Sequence, residues 1–333
     1  AGSYSAAYDG TSHSPSACAV TADAPNTYKG ALSCTNSPDP VGPDVSSGSV
    51  TPILELNGET ETNFSVTTVN GTYAITAALV TATAGDYSGV YDGAAHPTTP
   101  SCAVTGAYTG DLSCMNNPSS VGPNVGSGDV TADVIGTGLS NFDITYEDST
   151  WEITAKPVTL TAGSYGPAIY DGTSHPPSSC SSSDPTFITC SNNTSSVGPD
   201  VGSGTVSVAT PPTYLQGISA DYNITYEDGS WSITAAPVTI TAGSYSATYD
   251  GASHSPSPCA VTADTPNTYK GALSCTNNHD PVGPDVSLGS VTPNLELNGE
   301  TETNFSVTIV NGTYTITAAS VTATAGDFSG VYD

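Results

Sequence analysis

The tripeptide Tyr-Asp-Gly begins at Tyr8, Tyr91, Tyr170 and Tyr249, and Tyr332-Asp333 opens a fifth copy, at spacings of 83, 79, 79 and 83 residues. Such self-similarity rules out one large core, because each period must build a supersecondary unit of its own. Each complete copy continues to a His and then a Cys in the same order, as in "VYDGAAHPTTPSC" from Val90. A longer period lies over the first. Residues 1–92 align without a gap on residues 242–333, at an offset of 241 and with 12 differences in 92 positions. The unit of copying is therefore three repeats long. That is the economy of an array, and an enzyme has no use for it.

Within a repeat the pattern is constant. An apolar stretch such as "PVTLTAGSY" (157–165) reads as the opening strand. Tyr-Asp-Gly and a Pro- and Ser-rich passage follow, holding the first Cys. Val-Gly-Pro comes seven residues after the second Cys, at Val41, Val121, Val197 and Val282. The end of each repeat, for example "DYNITYEDGSWSIT", alternates with period two around Asp-Gly or Asn-Gly, which predicts a closing hairpin. The aromatics of the last strand, Tyr73, Trp151, Trp231 and Tyr314, are expected in the core. No segment carries a 3.6-residue period. Together with 34 Gly and 25 Pro, this predicts an all-β chain of short strands and many turns.

About 80 residues and seven or so short strands suggest tandem immunoglobulin-like β-sandwich modules. The expected boundaries are 1–77 (a repeat whose first strand is missing), 78–155, 156–235, 236–318 (a near-copy of the first) and 319–333, the start of a further repeat. The joins are short, as in "EITAKPVTL", so the modules are expected to stack as a semi-rigid rod. A spare "VTATAG" strand at 321–326 invites donor-strand exchange. However, a join would carry "AGDFSGVYD" and "AGSYSAAYD" in duplicate, and a window on a longer periodic chain is the simpler expectation.

"YDG" after a "VT.TAG.Y" strand, with "Y.IT" closing the repeat, resembles the YDG/MBG-type repeat domains of large bacterial surface proteins and adhesins. The resemblance covers essentially the whole chain. It implies a secreted, multi-domain, non-enzymatic surface protein. The Cys pair in every repeat goes beyond that family pattern.

The eight Cys fall two to a repeat, and the expected disulfides are Cys18–Cys34, Cys102–Cys114, Cys180–Cys190 and Cys259–Cys275. The intervals vary while both flanks keep their register, as a clip at the base of a variable loop would require. Zinc is the rival, but two Cys and one His per repeat fall one ligand short of a closed structural site. Disulfides place the chain outside the cytoplasm, extracellular or on a cell surface.

His13, His96, His175 and His254 each stand five residues after the Tyr of the motif. Either a nucleophilic site or a structural corner can be built from them. A site copied into every link of an array is unusual for an enzyme, so the corner is expected: Tyr8, Asp9, Gly10 and His13; Tyr91, Asp92, Gly93 and His96; Tyr170, Asp171, Gly172 and His175; Tyr249, Asp250, Gly251 and His254. Gly after Asp is read as a positive-φ position, with the Asp side chain closing the turn. Asp9, Asp92, Asp171 and Asp250 are also weak candidate Ca²⁺ ligands, acting at module joints with Asp44, Asp200 and Asp285; Asn124 breaks that second series. No other cofactor is expected.

The 31 acidic residues face only Lys29, Lys156 and Lys270, for a net charge of −28. Phosphate contacts need Lys and Arg, so nucleic acid is excluded as a partner. No run of about 18 apolar residues spans a membrane. Sequons at Asn63, Asn70, Asn192, Asn193, Asn223, Asn304 and Asn311 leave glycosylation open. The expected role is a structural segment of a fibre, whose partners are other copies of itself, or the passive stalk of an adhesin held by a cell-surface anchor.

Overall fold

A computed structural model of the chain describes residues 1–331. Tyr332 and Asp333, where the fifth Tyr-Asp-Gly copy starts, lie outside the described residues. The described residues form strands, turns and four single-turn 3₁₀ segments, with no α-helix among them. No helix among them is long and apolar enough to cross a membrane. The chain divides into two units, Ala1–Lys156 with Gly217–Asn223, and Pro157–Gln216 with Ile224–Asp333.

In the first unit the second repeat is a β-sandwich. Ala78–Thr83 runs parallel to Phe142–Glu147 on one side and antiparallel to Ala103–Gly106 on the other. The second sheet has the order Tyr87–Val90, Ser149–Thr154, Gly126–Ile135, Ser113–Asn117. Ala82 and Ala84 from the first sheet bury against Val130 and Ala132 from the second. The alternation of Ala78–Thr83 explains the packing: Ala78, Val80 and Ala82 point inward and Leu79 is 72% exposed.

In the second unit the fourth repeat has the same plan. Ala236–Thr241 is parallel to Phe305–Val310 and antiparallel to Ala260–Ala263. Tyr245–Thr248, Gly312–Thr317 and Ser287–Val291 make the other sheet. Ala236, Val238 and Ile240 are essentially inaccessible to solvent and anchor its core.

The closing hairpin expected from the alternation does not form. Phe142–Glu147 and Ser149–Thr154 belong to different sheets, as do Tyr222–Glu227 and Gly229–Thr234, and Phe305–Val310 and Gly312–Thr317. A single residue separates each pair of strands, too few for a two-residue hairpin loop. The chain instead steps across the sandwich. The glycine read as a turn residue serves close approach: a Cβ on Gly71, Gly229 or Gly312 would collide with the carbonyl of Gly2, Gly163 or Gly243.

The opening strand also needs correction. "PVTLTAGSY" is two strands, Lys156–Thr161 and Tyr165–Ile169, which lie in different sheets. The last-strand aromatics are half-buried rather than fully internal. A Cβ on Gly48, Gly128, Gly204 or Gly289 would strike Tyr73, Trp151, Trp231 or Tyr314, so each ring covers a glycine. The fully enclosed positions are the neighbouring aliphatics Val50, Val130, Val206 and Val291.

All eight cysteines are paired within their own repeats. In the fourth repeat Cys259 immediately precedes Ala260–Ala263, and Cys275 lies within Ser274–Asn277, which pairs with Pro293–Glu296. Ala260–Ala263 belongs to the three-stranded sheet of Ala236–Thr241, so the bond ties that sheet's edge to a separate strand pair.

Candidate functional site

The four Tyr-Asp-Gly corners have one geometry. Gly10, Gly93, Gly172 and Gly251 sit at φ between +75° and +81°, a region glycine enters at little cost. Their position turns the chain so that the preceding Asp accepts the amide two residues on: Thr11 N to Asp9 Oδ1 at 3.0 Å, Ala94 N to Asp92 at 2.9 Å, Thr173 N to Asp171 at 3.0 Å and Ala252 N to Asp250 at 2.9 Å. The same carboxylates lie 3.0 Å from Nε2 of His13, His96, His175 and His254.

Each imidazole stacks on a Tyr four residues before the motif, or five in the third repeat. Tyr4, Tyr87, Tyr165 and Tyr245 hold it with ring centroids 4.7–4.8 Å apart. The His backbone exchanges two hydrogen bonds with the Val of Val-Gly-Pro, for instance His13 N to Val41 O at 2.9 Å and Val41 N to His13 O at 2.8 Å. Ring, carboxylate and backbone are all engaged inside the corner.

The electrostatics follow from these bonds. The hydrogen bond from His13, with the Thr11 hydroxyl and amide, lowers Asp9 to about 2. Asp92 and Asp250 are lowered by the amides of Ala94 and Ala252 and then by their histidines. For Asp171, burial pushes upward, but the bonds from His175 and Thr173 outweigh it.

Thr11 and Thr173 bring a hydroxyl to 3.1 Å from the His Nε2, a Thr-His-Asp cluster with the look of an activated nucleophile. The other two repeats have Ala94 and Ala252 there. A hydroxyl missing from half the copies is not the common purpose of the corner.

The outer side of the corner is where each unit places its most repeated contact. In the first unit Tyr8 packs edge-on against Phe142 and Tyr108, at 5.4 and 5.5 Å. Beside it Val45 N donates to Asn141 Oδ1 and Asn141 Nδ2 donates to Asp44 Oδ1, both at 2.9 Å. In the second unit Tyr170 packs edge-on against Phe305 and Tyr269, both at 5.5 Å. Val201 N donates to Asn304 Oδ1 at 3.0 Å, and Asn304 Nδ2 to Asp200 Oδ1 at 2.9 Å. The Tyr170 hydroxyl donates to Glu300 at 3.3 Å, and burial, the Glu300 charge and Tyr269 push it up to about 12.

A third contact, also inside the first unit, changes the chemistry. Tyr91 meets Tyr222 edge-on at 5.4 Å, and Asp221 accepts Val125 N and Ile218 N, both at 2.9 Å. Asp221 replaces the Asn of the other repeats, and Asn124 replaces their Asp. The exchange keeps one carboxylate per contact, where two facing each other at a buried position would repel. Asn141, Asp221 and Asn304 are buried. Sequence reasoning noted Asn124 only as a gap in a calcium series. Asp221, at the position of Asn63, Asn141 and Asn304, was the compensating signal that could have revealed the contact.

Asp44 and Asp200 thus meet amides rather than further carboxylates, and no group of three His, Cys, Asp or Glu among the described residues is arranged to hold a metal ion. The sequon residue Asn304 is 1% exposed and committed to its hydrogen bonds.

No protein-family model matches the sequence, and no curated protein matches it. Among solved structures the chain is similar to the I9–I11 tandem of titin, at 10% identity over 72% of this chain and 100% of that one, with a TM-score of 0.23. Mouse cadherin-23 EC22–24 is similar at 9% identity over 73% and 100%, with a TM-score of 0.27. Immunoglobulin domains 1–5 of Sidekick-1 follow at 12% identity over 95% and 79%, with a TM-score of 0.23. At these values the likeness carries no argument, and the sandwich assignment stands on the chain's own strand pairing.

Proposed function

We propose that the chain is a non-enzymatic structural segment of a long secreted repeat protein, one that forms an extracellular filament or matrix fibre on a microbial surface. One observation carries the reading: three of the four corners are closed on their outer side by the same kind of contact, an edge-on Tyr beside a shared carboxylate. A group that serves as the fastening between neighbouring repeats has little left to offer a substrate. The His-Asp pairs are absorbed in the same way, since each is held by its own corner.

The four disulfides fit an oxidising compartment. Each closes a loop of 10 to 16 residues and stabilises a small core by about 3 kcal/mol. The motif order supports kinship with YDG/MBG-type surface repeats. The expected boundaries, with repeats starting near residues 78, 156 and 236, belong to the same proposal.

Electron microscopy of the native material tests it. Three repeats of stacked short strands give an axial repeat on the order of 110–130 Å. Ordered filaments with that repeat and contacts between chains support the fibre. Single threads anchored at one end without lateral contacts replace it with the passive stalk of an adhesin. Isolated particles attached to nothing overturn both.

A further inference from the structure

We propose that the joints between repeats are selective: each corner takes a repeat whose 3₁₀ turn ends in the complementary member of an Asp/Asn pair, and discriminates against the others. The partner of each face is thus another repeat of defined chemistry. Selective joints serve a fibre and a stalk alike, so the inference goes beyond the structural reading above.

The pair consists of the residue after Val-Gly-Pro and the last residue of the facing turn. Between the first and second repeats Asp44 meets Asn141, which ends the turn Leu139–Asn141. Asn141 uses both ends of its amide, accepting Val45 N on Oδ1 and donating from Nδ2 to Asp44 Oδ1, both at 2.9 Å. Between the third and fourth repeats Asn304 does the same, with Val201 N at 3.0 Å and Asp200 Oδ1 at 2.9 Å. An Asp on the corner therefore requires a donor on the turn, which an ionised carboxylate cannot supply.

Between the second and third repeats, inside the first unit, the roles are exchanged. Asp221 ends the turn Ser219–Asp221 and is 1% exposed. It accepts Val125 N on Oδ1 and Ile218 N on Oδ2, both at 2.9 Å. The residue before Val125 is Asn124.

The wrong neighbour fails on charge. The first corner against the third repeat's turn would bring Asp44 to Asp221, at a position where Asn141 is 5% exposed and like charges are little screened. The second corner against the fourth repeat's turn would bring Asn124 to Asn304. There a neutral bond, about half as strong, replaces a charge-assisted one. Discrimination is thus severe in one direction and mild in the other, which is still a difference of affinities.

The rings change at the same joint. Tyr108 and Tyr269 stack on Phe142 and Phe305 at 6.2 and 6.4 Å, and their hydroxyls lie where a Cβ on Gly10 or Gly172 would be. The third repeat has Tyr222 in place of that Phe, and Asp184 in place of that Tyr, six residues before its second Cys. On its turn Gly217, at φ +65°, leaves room for the Tyr91 hydroxyl. Charge and shape therefore specify the same partner.

Tandem copies misassemble by pairing with the wrong neighbour. One joint of the opposite type guards the register, because a slip by one repeat sets Asp44 against Asp221 or Asn124 against Asn304.

The test is native-state amide exchange on the oxidised 333-residue chain, read as protection factors at Val45, Val125 and Val201, one amide for each joint. Asn124→Asp should lower protection at Val125 roughly tenfold, within the range of coupling for touching groups, and leave Val45 and Val201 unchanged. Asp221→Asn alone should lower it less. The two changes together should bring Val125 back to within about twofold of the original chain. Ile218 then loses its acceptor, but the residue is 59% exposed and its amide turns to water. The same exchange at the first joint, Asn141→Asp with and without Asp44→Asn, repeats the test at Val45, so a variant that merely unfolds one repeat does not decide it. Rescue by the paired change at neither joint, or single changes without effect, would overturn the proposal. Such a result leaves the filament reading standing, since microscopy decides that one separately.

Discussion

The first and fourth repeats differ at 12 of 92 aligned positions, yet Phe305–Val310 is a strand while residues 64–69 are not. The local sequence is almost constant, so local propensity does not explain the contrast. What differs is the neighbour. Ala236–Thr241 supplies ladder partners to both flanks of the fourth repeat, whereas the first repeat has only its other sheet, in the order Tyr4–Ala7, Gly71–Thr76, Ser46–Glu55, Ser33–Ser37. A strand's tendency to form is largely its packing and pairing, not a property of its residues alone.

The comparison is broken most strongly at the middle strand. Ile240 is 1% exposed, and Ile240→Ala should cost the fourth repeat about 2–5 kcal/mol through the cavity left behind. A change in a flank of the first repeat, Val66→Ala, should cost well under about 1 kcal/mol, since the side chain is already half in water. Urea melts followed by residue-specific exchange would show the two effects side by side. Equal costs would mean that the flanks of the first repeat are packed by something else.

The disulfides sharpen the contrast at the next level. Replacing both Cys259 and Cys275 with Ser should lower stability by about 3 kcal/mol, read as a lower urea midpoint. The same replacement at Cys18 and Cys34 should also loosen residues 19–22, which no middle strand holds among the described residues, read as faster amide exchange there. Unchanged exchange over 19–22 would show that the clip does not hold that segment.

The acid response is the smallest effect and should be common to all four corners. Asp9 is lowered in the folded state, so its contribution is present above the ordinary carboxylate range near pH 4 and is lost as pH falls toward about 2. Asp92, Asp171 and Asp250 are lowered too and act in the same direction. Thermal midpoints should therefore drop through this window. Asp→Asn at the four positions should flatten the drop, and an unaltered slope would assign it to other carboxylates.

Much of this architecture was legible in the residues. The all-β character follows from period-two alternation and turn composition, and the repeat frame from Tyr-Asp-Gly and Val-Gly-Pro. Two features were hidden for physical reasons. A strand pair that crosses the sandwich alternates just as a hairpin does, and Gly71, Gly229 and Gly312 look like turn residues although they are needed for backbone contact. The contacts made by Asn141, Asp221 and Asn304 join residues 96 to 104 positions apart, and only the reciprocal exchange of Asn124 and Asp221 marked one of them in the sequence.

Amide hydrogen exchange on the chain tests the central claim that the middle strand organises a repeat. The account expects strong protection over 305–310 and exchange close to the unstructured rate over 64–69. Equal protection of the two segments would contradict it.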